Sequence, residues 1–386
     1  MKIPCAGVVY DYEEISNIKD AAETFWLVEG KYTKQFEHDL CKYMGMKYCV
    51  LCNSGSSANL LAVSALELPK GSEVITTACG FPTTLNPIIQ NELVPVFVDI
   101  DSTLTIDTQR VEKAISKKTK AIVVAHTLGI PADMVKIMKI AKKYKLRVIE
   151  DNCDALGSRL AGKLTGTFGD ISTLSFYPAH HITTGEGGAV MTNDYGLYRK
   201  VLSYRNWGRD CICRTGQDNA CGKRFKQQFG DLPYGYDHKY VYSRIGYNLK
   251  MADLQAAIGV AQLKKLPEFI KIRRGNVKRL ESILPMVDYR GDPSWFGFPI
   301  LTGSNQARSE MTDFLESKGI ATRVLFGGNL FKQPAYKNIK HRLSGGFGYT
   351  DRVMDSLFWI GVYPGLGDKE IGYIIEQFKK FTGRSK

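Results

Sequence analysis

Seven short apolar runs, separated by longer stretches, constrain the fold of this chain more than any other feature. Between the earlier runs, residues 57–67, 107–116 and 132–144 have helical periodicity. The runs are KYCVLCNS (47–54), EVITTAC (73–79), VPVFVDI (94–100), AIVVAH (121–126), LRVIED (146–151), ISTLSFY (171–177) and GAVMTN (188–193). Continuous apolar strands that alternate with helices predict an α/β fold with a seven-stranded, mostly parallel sheet covered on both faces.

The pattern changes after the seventh run. Residues 204–248 are rich in Gly, Tyr, Arg and Cys with weak periodicity, and irregular stretches of this length are usually functional or disordered. Residues 252–266 (ADLQAAIGVAQLKKL) predict a strong helix. We expect a large α/β domain over 1–250, which carries 204–248 as a cysteine-rich loop, and a smaller α+β domain over 251–386.

The net charge of +13 is spread along the chain among apolar residues at helical spacing. A nucleic-acid binder concentrates such charge in a patch, so solvated helix faces are the simpler interpretation. The same charge suits an anionic small substrate or an acidic protein partner. No apolar run reaches the roughly 18 to 20 residues that span a bilayer, and the N-terminus does not resemble a signal peptide. We expect a cytoplasmic protein that binds neither nucleic acid nor membrane.

Ligands of a mostly parallel sheet bind beyond the carboxyl ends of its strands. The loops expected to converge there follow Cys52, Cys79, Ile149 and Phe176. The first of them, NSGSSANLLAV (53–63), opens a helix, and the free N–H groups of a helix start attract anions. Ser56 and Ser57 would add hydroxyl donors to a phosphate site, although a Ser-rich helix start is often only a cap.

Acidic residues follow the strand that ends in VIED. The segment VIEDNCDALGS (148–158) predicts that Glu150, Asp151 and Asp154 enter the crevice. A carboxylate at a strand end can hold a pyridinium nitrogen protonated, which makes the ring a better electron sink. Acidic residues in this position also cap helices, so the motif alone leaves both interpretations open.

The segment SFYPAHHITTGEGGAV (175–190) joins two apolar strands through a polar turn. Ser175 could donate to a phosphate. His180 and His181 lie in the turn, where an imidazole can act as a general acid or base near neutral pH. No lysine lies between Lys163 and Lys200.

In combination, these motifs resemble the DegT/DnrJ/EryC1/StrS sugar aminotransferase family of pyridoxal-phosphate enzymes. The resemblance covers nearly the whole chain. It rests on EGKYTKQFEHDLCKYMG, NSGSSA, ACGFPTTLNPI, PVFVDID, VIED, TTGEGG and GYNLKMADLQAAIGVAQL. It implies the type I, aspartate-aminotransferase-like fold, with a large sheet domain and a smaller C-terminal domain.

The resemblance also implies roles for individual residues. Asp151 would pair with the pyridine nitrogen, and Phe81 would stack on the ring. The phosphate would be held by Ser56, Ser57 and Ser175. Asn248 would reach the phosphate of the neighbouring subunit, which implies a homodimer.

One position departs from the family pattern, because His180 stands where the family carries its Schiff-base lysine. Without that amine the chain cannot bind pyridoxal covalently, and it loses the usual base of transamination. It could instead hold the amine form, pyridoxamine phosphate, by non-covalent contacts. His180 would then remove a proton from the cofactor's methylene carbon, and a hydroxyl beta to the imine would leave. That reaction is dehydration at C3 of a 4-keto sugar.

Nine cysteines are many for such a chain, and an odd number argues against a disulfide framework. Five are expected to be small core residues: Cys5, Cys41, Cys49, Cys52 and Cys79. The other four are Cys153, Cys211, Cys213 and Cys221, with 57, one and seven residues between them. Four thiolates can bind a [2Fe–2S] cluster. Reduced thiols with incidental spacing, or zinc at the same residues, are the alternatives.

Together with His180, the cysteine spacing is similar to the CDP-4-keto-6-deoxyglucose 3-dehydrase branch of the family, which makes 3,6-dideoxyhexoses. That branch implies a nucleotide-diphosphate sugar substrate and an iron–sulfur flavoprotein reductase, which passes electrons through the [2Fe–2S] cluster. The segment 323–336 resembles the substrate loop, so Arg323 and Lys332 would meet the diphosphate. CDP is favoured by the resemblance alone. A reductase-independent sugar 3-dehydrase and a catalytically retired paralogue that binds sugar nucleotides remain alternatives.

Overall fold

The computed structural model describes residues 1–383. The strands are β1 Tyr48–Cys52, β2 Glu73–Thr77, β3 Val94–Val98, β4 Thr119–Ala125, β5 Arg147–Asp151, β6 Arg159–Leu160, β7 Lys163–Leu164, β8 Ile171–Ser175, β9 Gly188–Thr192, β10 Gly297–Leu301, β11 Thr322–Val324, β12 Arg342–Leu343 and β13 Leu357–Gly361. The helices are α1 Tyr12–Thr24, α2 Lys31–Met44, α3 Gly55–Ala65, α4 Pro82–Gln90, α5 Thr108–Val111, α6 Met134–Tyr144, α7 Tyr195–Arg205, α8 Asp253–Glu281, α9 Asn305–Ser317, α10 Gly348–Ser356 and α11 Asp368–Phe381.

The large sheet has the strand order β1-β9-β8-β5-β4-β2-β3-β12. Only β9 runs antiparallel to its neighbours, β1 and β8, and every other pair is parallel. The mostly parallel α/β sheet is therefore confirmed. The seven predicted strands are all present, and β12 adds an eighth of only two residues at the edge. A strand that short has no apolar periodicity in the sequence, which explains why the prediction missed it.

Alternate residues of the strands enter two separate cores, one on each face of the sheet. Val74 packs with residues of α3, α4 and α7 on one face. Its neighbour Ile75 packs with residues of α6 on the other face. Helices therefore cover both faces, as continuous apolar strands require.

A second, antiparallel sheet of three strands has the order β10-β13-β11. Its strands pack with α8, α9 and α11 around one apolar core. Ile3 pairs with Ile320, so the N-terminal residues lie against the C-terminal part of the chain. The helix predicted over 252–266 continues through Pro267 to Glu281, because its buried side chains extend beyond the proline. The division of the chain into domains at residue 250 stays a prediction.

Residues 206–248 form no α-helix or strand and contain one short 3-10 turn, His238–Tyr240. The irregular backbone predicted for this loop is therefore present. Across residues 1–383, no helix combines the length and the apolar character that a membrane crossing needs.

The start of α8 is joined to the start of α2 by a buried carboxylate, Asp253. It accepts hydrogen bonds from the Thr33 amide at 2.7 Å, the Thr33 hydroxyl at 2.7 Å and the Tyr32 amide at 3.3 Å. Gly30 is required opposite it, because an added Cβ would lie 2.5 Å from Asp253 Oδ2.

We predict that Asp253→Ala lowers the free energy of unfolding by about 2 kcal/mol, since it leaves buried N–H donors of α2 without acceptors. The measurement is urea denaturation. Glu23→Ala, an exposed acid on the neighbouring helix α1, is the control and should change stability by less than about 0.5 kcal/mol. Equal effects of the two variants would contradict the role given to Asp253.

Candidate active site

A cavity of about 810 Å³ lies at the carboxyl ends of the parallel strands. Its walls come from the loops after β1, β2, β4, β5 and β8. Four of these loops were predicted to converge here, and the loop after β4 is an addition. The C-terminal part of the chain closes it with Arg323, Phe326, Phe296 and Trp359. A large cavity at this edge of the sheet is the default ligand site of an α/β fold.

The Asp151 side chain is fixed at the end of β5. Its Oδ2 accepts hydrogen bonds from Thr84 Oγ1 at 2.6 Å and from Asn59 Nδ2 at 2.9 Å, and Oδ1 accepts from the Cys153 amide at 3.3 Å. Thr173 donates to Asn59 Oδ1 at 2.6 Å and so sets the direction of that amide. The carboxylate is thus held in one orientation at the cavity wall.

Beside Asp151, the start of α3 forms a cradle for an anion. Ser54 caps the helix by accepting from the Ser57 amide at 3.1 Å. Ser56 and Ser175 line the cavity, whereas the Ser57 hydroxyl is bonded to Ser54 at 3.0 Å. Gly55 keeps the cradle open, because a Cβ there would lie 2.5 Å from the Ser175 Cβ. Free helix-start amides and serine hydroxyls suit a phosphate group.

Phe81 ends the loop that enters α4, where it is the residue that precedes the first helical turn, and it lines the cavity with 52% of the residue exposed. Its ring meets Phe326 edge to face, with centroids 6.0 Å apart. Phe326 and Phe296 in turn contact Trp359. One flank of the cavity therefore offers aromatic surface on which a planar ring can stack.

His180 lies on the turn between β8 and β9 and also lines the cavity. Its Nδ1 lies 3.6 Å from Asp154 Oδ1, and its ring packs against Phe296 with centroids 5.2 Å apart. Burial lowers the pKa of His180 to about 4, against the opposing effect of Asp151 and with a further contribution from Arg273. The imidazole is therefore neutral at pH 7, and a neutral imidazole can accept a proton.

Asp154 is the second titratable group at this point. Burial, followed by the negative charge of Asp151, raises the pKa of Asp154 to about 8. Its carboxyl group is therefore protonated at pH 7, so the contact with His180 joins two neutral groups.

The neighbouring histidine faces away from the cavity. His181 Nε2 donates to the Ser294 carbonyl at 2.7 Å, and burial holds the pKa of His181 well below its usual value. Its role is structural.

Glu150 does not enter the crevice, contrary to the prediction. Its side chain leaves the opposite face of β5, because successive residues of a strand alternate. There it accepts from the amides of Gly166, Phe168 and Gly169 at 2.7 to 2.8 Å and contacts His126 at 3.0 Å. Glu150 thus holds the 166–169 loop.

Three further predicted residues lie at different distances from the cavity. Arg323, on β11, lines its mouth. Lys332 lies outside its lining and pairs with Asp351 at 2.8 Å, so it does not join Arg323 there. Asn248 is exposed and accepts from Lys250 Nζ at 2.6 Å. Its contact with a partner subunit stays a prediction.

The four predicted cluster cysteines do not meet within the chain. Cys211, Cys213 and Cys221 line one small cavity together with His238, and they accept N–H···S bonds from Cys213, Ala220 and Lys223. Cys153 instead lines the large cavity, where burial and then Asp151 raise the pKa of its thiol well above the usual value. Within residues 1–383, no group of three or more His, Cys, Asp or Glu side chains has the arrangement of a metal site.

Sequence reasoning missed Asn59 and Thr84, which hold Asp151. Both lie inside helices that follow other strands, so nothing in their local sequence connects them to Asp151. The aromatic flank of Phe296, Phe326 and Trp359 was also missed, because these residues come from three separate parts of the C-terminal region.

We predict that Asp154→Asn becomes more stable relative to the parent protein as the pH rises from about 4 to about 8. In this window the unfolded parent has lost the Asp154 proton, whereas the folded parent still carries it. The folded parent therefore binds more protons, and its stability falls with increasing pH. Asparagine does not titrate and escapes this loss.

Urea denaturation at several pH values is the measurement for Asp154→Asn. Asp313→Asn, at an exposed position, is the control and should show no such trend. A stability difference between parent and Asp154→Asn that stays constant across the window would contradict the raised pKa of Asp154.

Several known proteins resemble the chain along nearly its whole length. The lipopolysaccharide biosynthesis protein RfbH of Salmonella typhimurium is 48% identical, over 99% of this chain and 92% of that protein. The dTDP-4-dehydro-2,6-dideoxy-D-glucose 3-dehydratase of Saccharopolyspora spinosa is 46% identical, over 98% of this chain and 86% of its own. Both similarities extend through the sheet, the cavity and the C-terminal region.

Among solved structures, the Escherichia coli GDP-4-keto-6-deoxy-D-mannose-3-dehydratase with bound hydrated PLP superimposes with a TM-score of 0.88. It is 30% identical, over 98% of this chain and 99% of that chain. The similarity confirms the predicted fold. The sequence profile of the DegT/DnrJ/EryC1/StrS aminotransferase family matches residues 9–379. The chain therefore belongs to the DegT/DnrJ/EryC1/StrS aminotransferase family.

Proposed function

We propose that this pyridoxal-phosphate family enzyme removes the C3 hydroxyl of a nucleotide-linked 4-keto-6-deoxyhexose and uses pyridoxamine phosphate as its cofactor. One observation carries the proposal: His180, which the resemblance puts at the position of the family's lysine, is a neutral imidazole in the cavity wall. The residues that line the cavity include no lysine. The cofactor would therefore be held by non-covalent contacts.

The residues of the cavity fit pyridoxamine phosphate. The start of α3, with Ser56 and Ser175, would hold the phosphate, and Asp151 would pair with the pyridine nitrogen. Phe81 would cover one face of the ring. Ser57 would contribute its hydroxyl, which accepts from Ser54 and keeps its own proton to donate, since its amide is already bonded to Ser54. When bound, the cofactor supplies an amine that condenses with the 4-keto group and a ring that accepts electrons.

His180 would move the proton of the reaction. Its neutral imidazole can accept a proton from the carbon that must lose one and deliver it to the departing hydroxyl. Contact of Asp154 with Nδ1 leaves Nε2 as the nitrogen for this transfer. Phe296 and Phe326 would limit the entry of water. A primary amine at this position would instead favour return of the proton to the sugar, which is the outcome of transamination.

The substrate would enter past Arg323, whose guanidinium at the mouth suits a diphosphate. The names of the relatives point to dTDP- and GDP-linked sugars for those proteins. The resemblance of the cysteine spacing favours CDP for this chain. The cavity is lined by few charged groups and is compatible with each of these nucleobases. Turnover therefore has to be measured with CDP-, dTDP- and GDP-linked sugars.

We further propose that the reaction depends on a [2Fe–2S] cluster and a flavoprotein reductase. It is supported by the spacing of the four cysteines and by the N–H···S bonds to three clustered thiols, which are typical surroundings of iron–sulfur ligands. The four residues do not fit one cluster within the chain, because Cys153 lies in the other cavity. The dehydration above is therefore derived without it.

We predict that His180→Lys reduces C3 dehydration at least about 10²-fold, since lysine replaces the imidazole by an amine that binds pyridoxal and favours return of the proton to the sugar. The variant should also gain the absorption band of lysine-bound pyridoxal. The measurement is turnover of CDP-, dTDP- and GDP-4-keto-6-deoxyhexoses with pyridoxamine phosphate, together with absorption spectra. His341→Lys, outside the cavity, is the control. Dehydration by His180→Lys at the rate of the parent protein would remove His180 from the reaction.

Cluster binding by the four cysteines predicts about two iron and two sulfide per chain in protein purified without oxygen, and their separation in the chain makes this the analysis that decides the cluster. Cys213→Ser should lose both, and Cys41→Ser should keep them. Metal and sulfide analysis with absorption spectroscopy is the measurement. Iron-free protein that dehydrates the sugar without a reductase would contradict the cluster and support the reductase-independent enzyme.

A further inference from the structure

The fold separates the fourth cysteine of the predicted cluster set from the other three. Cys153 lies in the wall of the large cavity, where a Cβ added to Gly55, at the phosphate cradle, would lie 3.2 Å from its Sγ. The other three thiols line the small cavity of the cysteine loop (residues 206–248) and are only partly buried. Each chain therefore holds three thiols in one place and one thiol in another.

The cysteine loop is anchored where it stands, so its thiols cannot swing to the fourth one without breaking buried contacts. Buried Glu29 accepts hydrogen bonds from the Thr215 amide at 3.0 Å and from the Thr215 hydroxyl at 2.5 Å. The neighbouring Arg214 pairs with buried Glu37 at 2.6 Å. The separation of the thiols is thus a property of the folded chain.

The cysteine loop also carries an apolar surface that residues 1–383 leave uncovered. The Arg209 guanidinium lies 4.7 Å from the ring centroid of Trp207 and 5.9 Å from that of Tyr240, and Arg209 pairs with Tyr242 through the backbone. All three rings are exposed, and Ile245 in the same loop is 96% exposed. Exposed apolar side chains in one patch mark a surface that another molecule covers.

The large cavity has an exposed apolar rim of its own, formed by Phe81, Tyr177 and Val324. The end of the cysteine loop lies against this cavity, because the Asn53 amide, next to the cradle, donates to the Leu249 carbonyl at 2.9 Å. A two-fold axis that passes near this contact would bring the loop of each copy to the cavity of the other. Such a dimer buries both apolar surfaces twice, since its interface is the same on both subunits.

We propose that the fourth ligand of the [2Fe–2S] cluster is Cys153 of the partner subunit, so that each cluster joins the cysteine loop of one subunit to the large cavity of the other. This inference rests on the proposed cluster. The partner is a second copy of this chain, because one chain carries both halves: three thiols beside an apolar patch, and one thiol behind an apolar rim. The loop keeps the contacts that anchor it, and the ligand set reaches the four thiolates that such a cluster takes.

The test is complementation between two defective chains. Cys153→Ser and Cys213→Ser chains, each with a different affinity tag, are co-expressed, and the doubly tagged dimer is purified without oxygen. In this mixed dimer, one cluster position combines an intact loop with an intact Cys153, and the other position lacks both. We expect about two iron and two sulfide per mixed dimer, half of the parent value, and none in either variant alone.

The mixed dimer of Cys211→Ser with Cys213→Ser is the control, and it should contain no cluster because both of its loops are defective. If the parent holds iron and the Cys153→Ser/Cys213→Ser dimer is iron-free, the inference alone is overturned. A Cys153→Ser dimer that keeps its iron would overturn it too. Iron-free parent protein would overturn it together with the cluster, whereas the dehydration proposal is judged separately by the sugar product.

Ile245→Glu tests the interface without touching a cysteine. The side chain is exposed in the single chain, so the charge should spare the fold and oppose apolar contact between two copies. We expect a monomer by light scattering that has lost its iron. Val135→Glu, at an exposed position of α6, is the matched control and should stay dimeric with its iron. An Ile245→Glu variant that keeps its iron, as a monomer or as a dimer, would contradict a cluster shared between subunits at this surface.

Discussion

The hydrogen bonds to the Asp151 carboxylate are the interaction on which the rest of the site depends. They join the end of β5 to α3 through Asn59 and to α4 through Thr84. The same contacts fix the distance between Asp151 and the start of α3, where a phosphate would lie. Because Thr173 orients Asn59 from β8, the strand that leads to His180 belongs to the same network. A cofactor that spans carboxylate and phosphate therefore finds both ends already in place.

Burial sets the proton positions around this network. His180 and Asp154 both lie where water is scarce, and each is neutral at pH 7 for that reason. The Asp151 carboxylate, by contrast, accepts hydrogen bonds from three donors. In the proposed reaction, the Asp151 carboxylate would face the ring nitrogen and the neutral His180 would face the reacting carbon.

Much of this arrangement could be predicted from the sequence, because it follows from strand and helix periodicity. The parallel sheet, the convergence of its loops, and the position of His180 and Ser175 all follow from which residues end each strand. Asn59 and Thr84 could not be found this way, since their role depends on which strands are neighbours in space. The separation of Cys153 from the cysteine loop could not be predicted for the same reason. Spacing along the chain does not fix whether two loops meet. The orientation of Glu150 was available from strand alternation, and the prediction overlooked it.

In the proposed reaction, His180 redirects the family's chemistry from amine transfer to loss of the C3 hydroxyl. The most direct test is the mass of the sugar nucleotide after one turnover with pyridoxamine-loaded protein and a 4-keto-6-deoxyhexose substrate. We expect a 4-keto sugar lighter by one oxygen atom, whose two electrons would come from pyridoxamine phosphate as it is converted to pyridoxal phosphate with loss of ammonia. A product in which the keto oxygen is replaced by an amino group would contradict it.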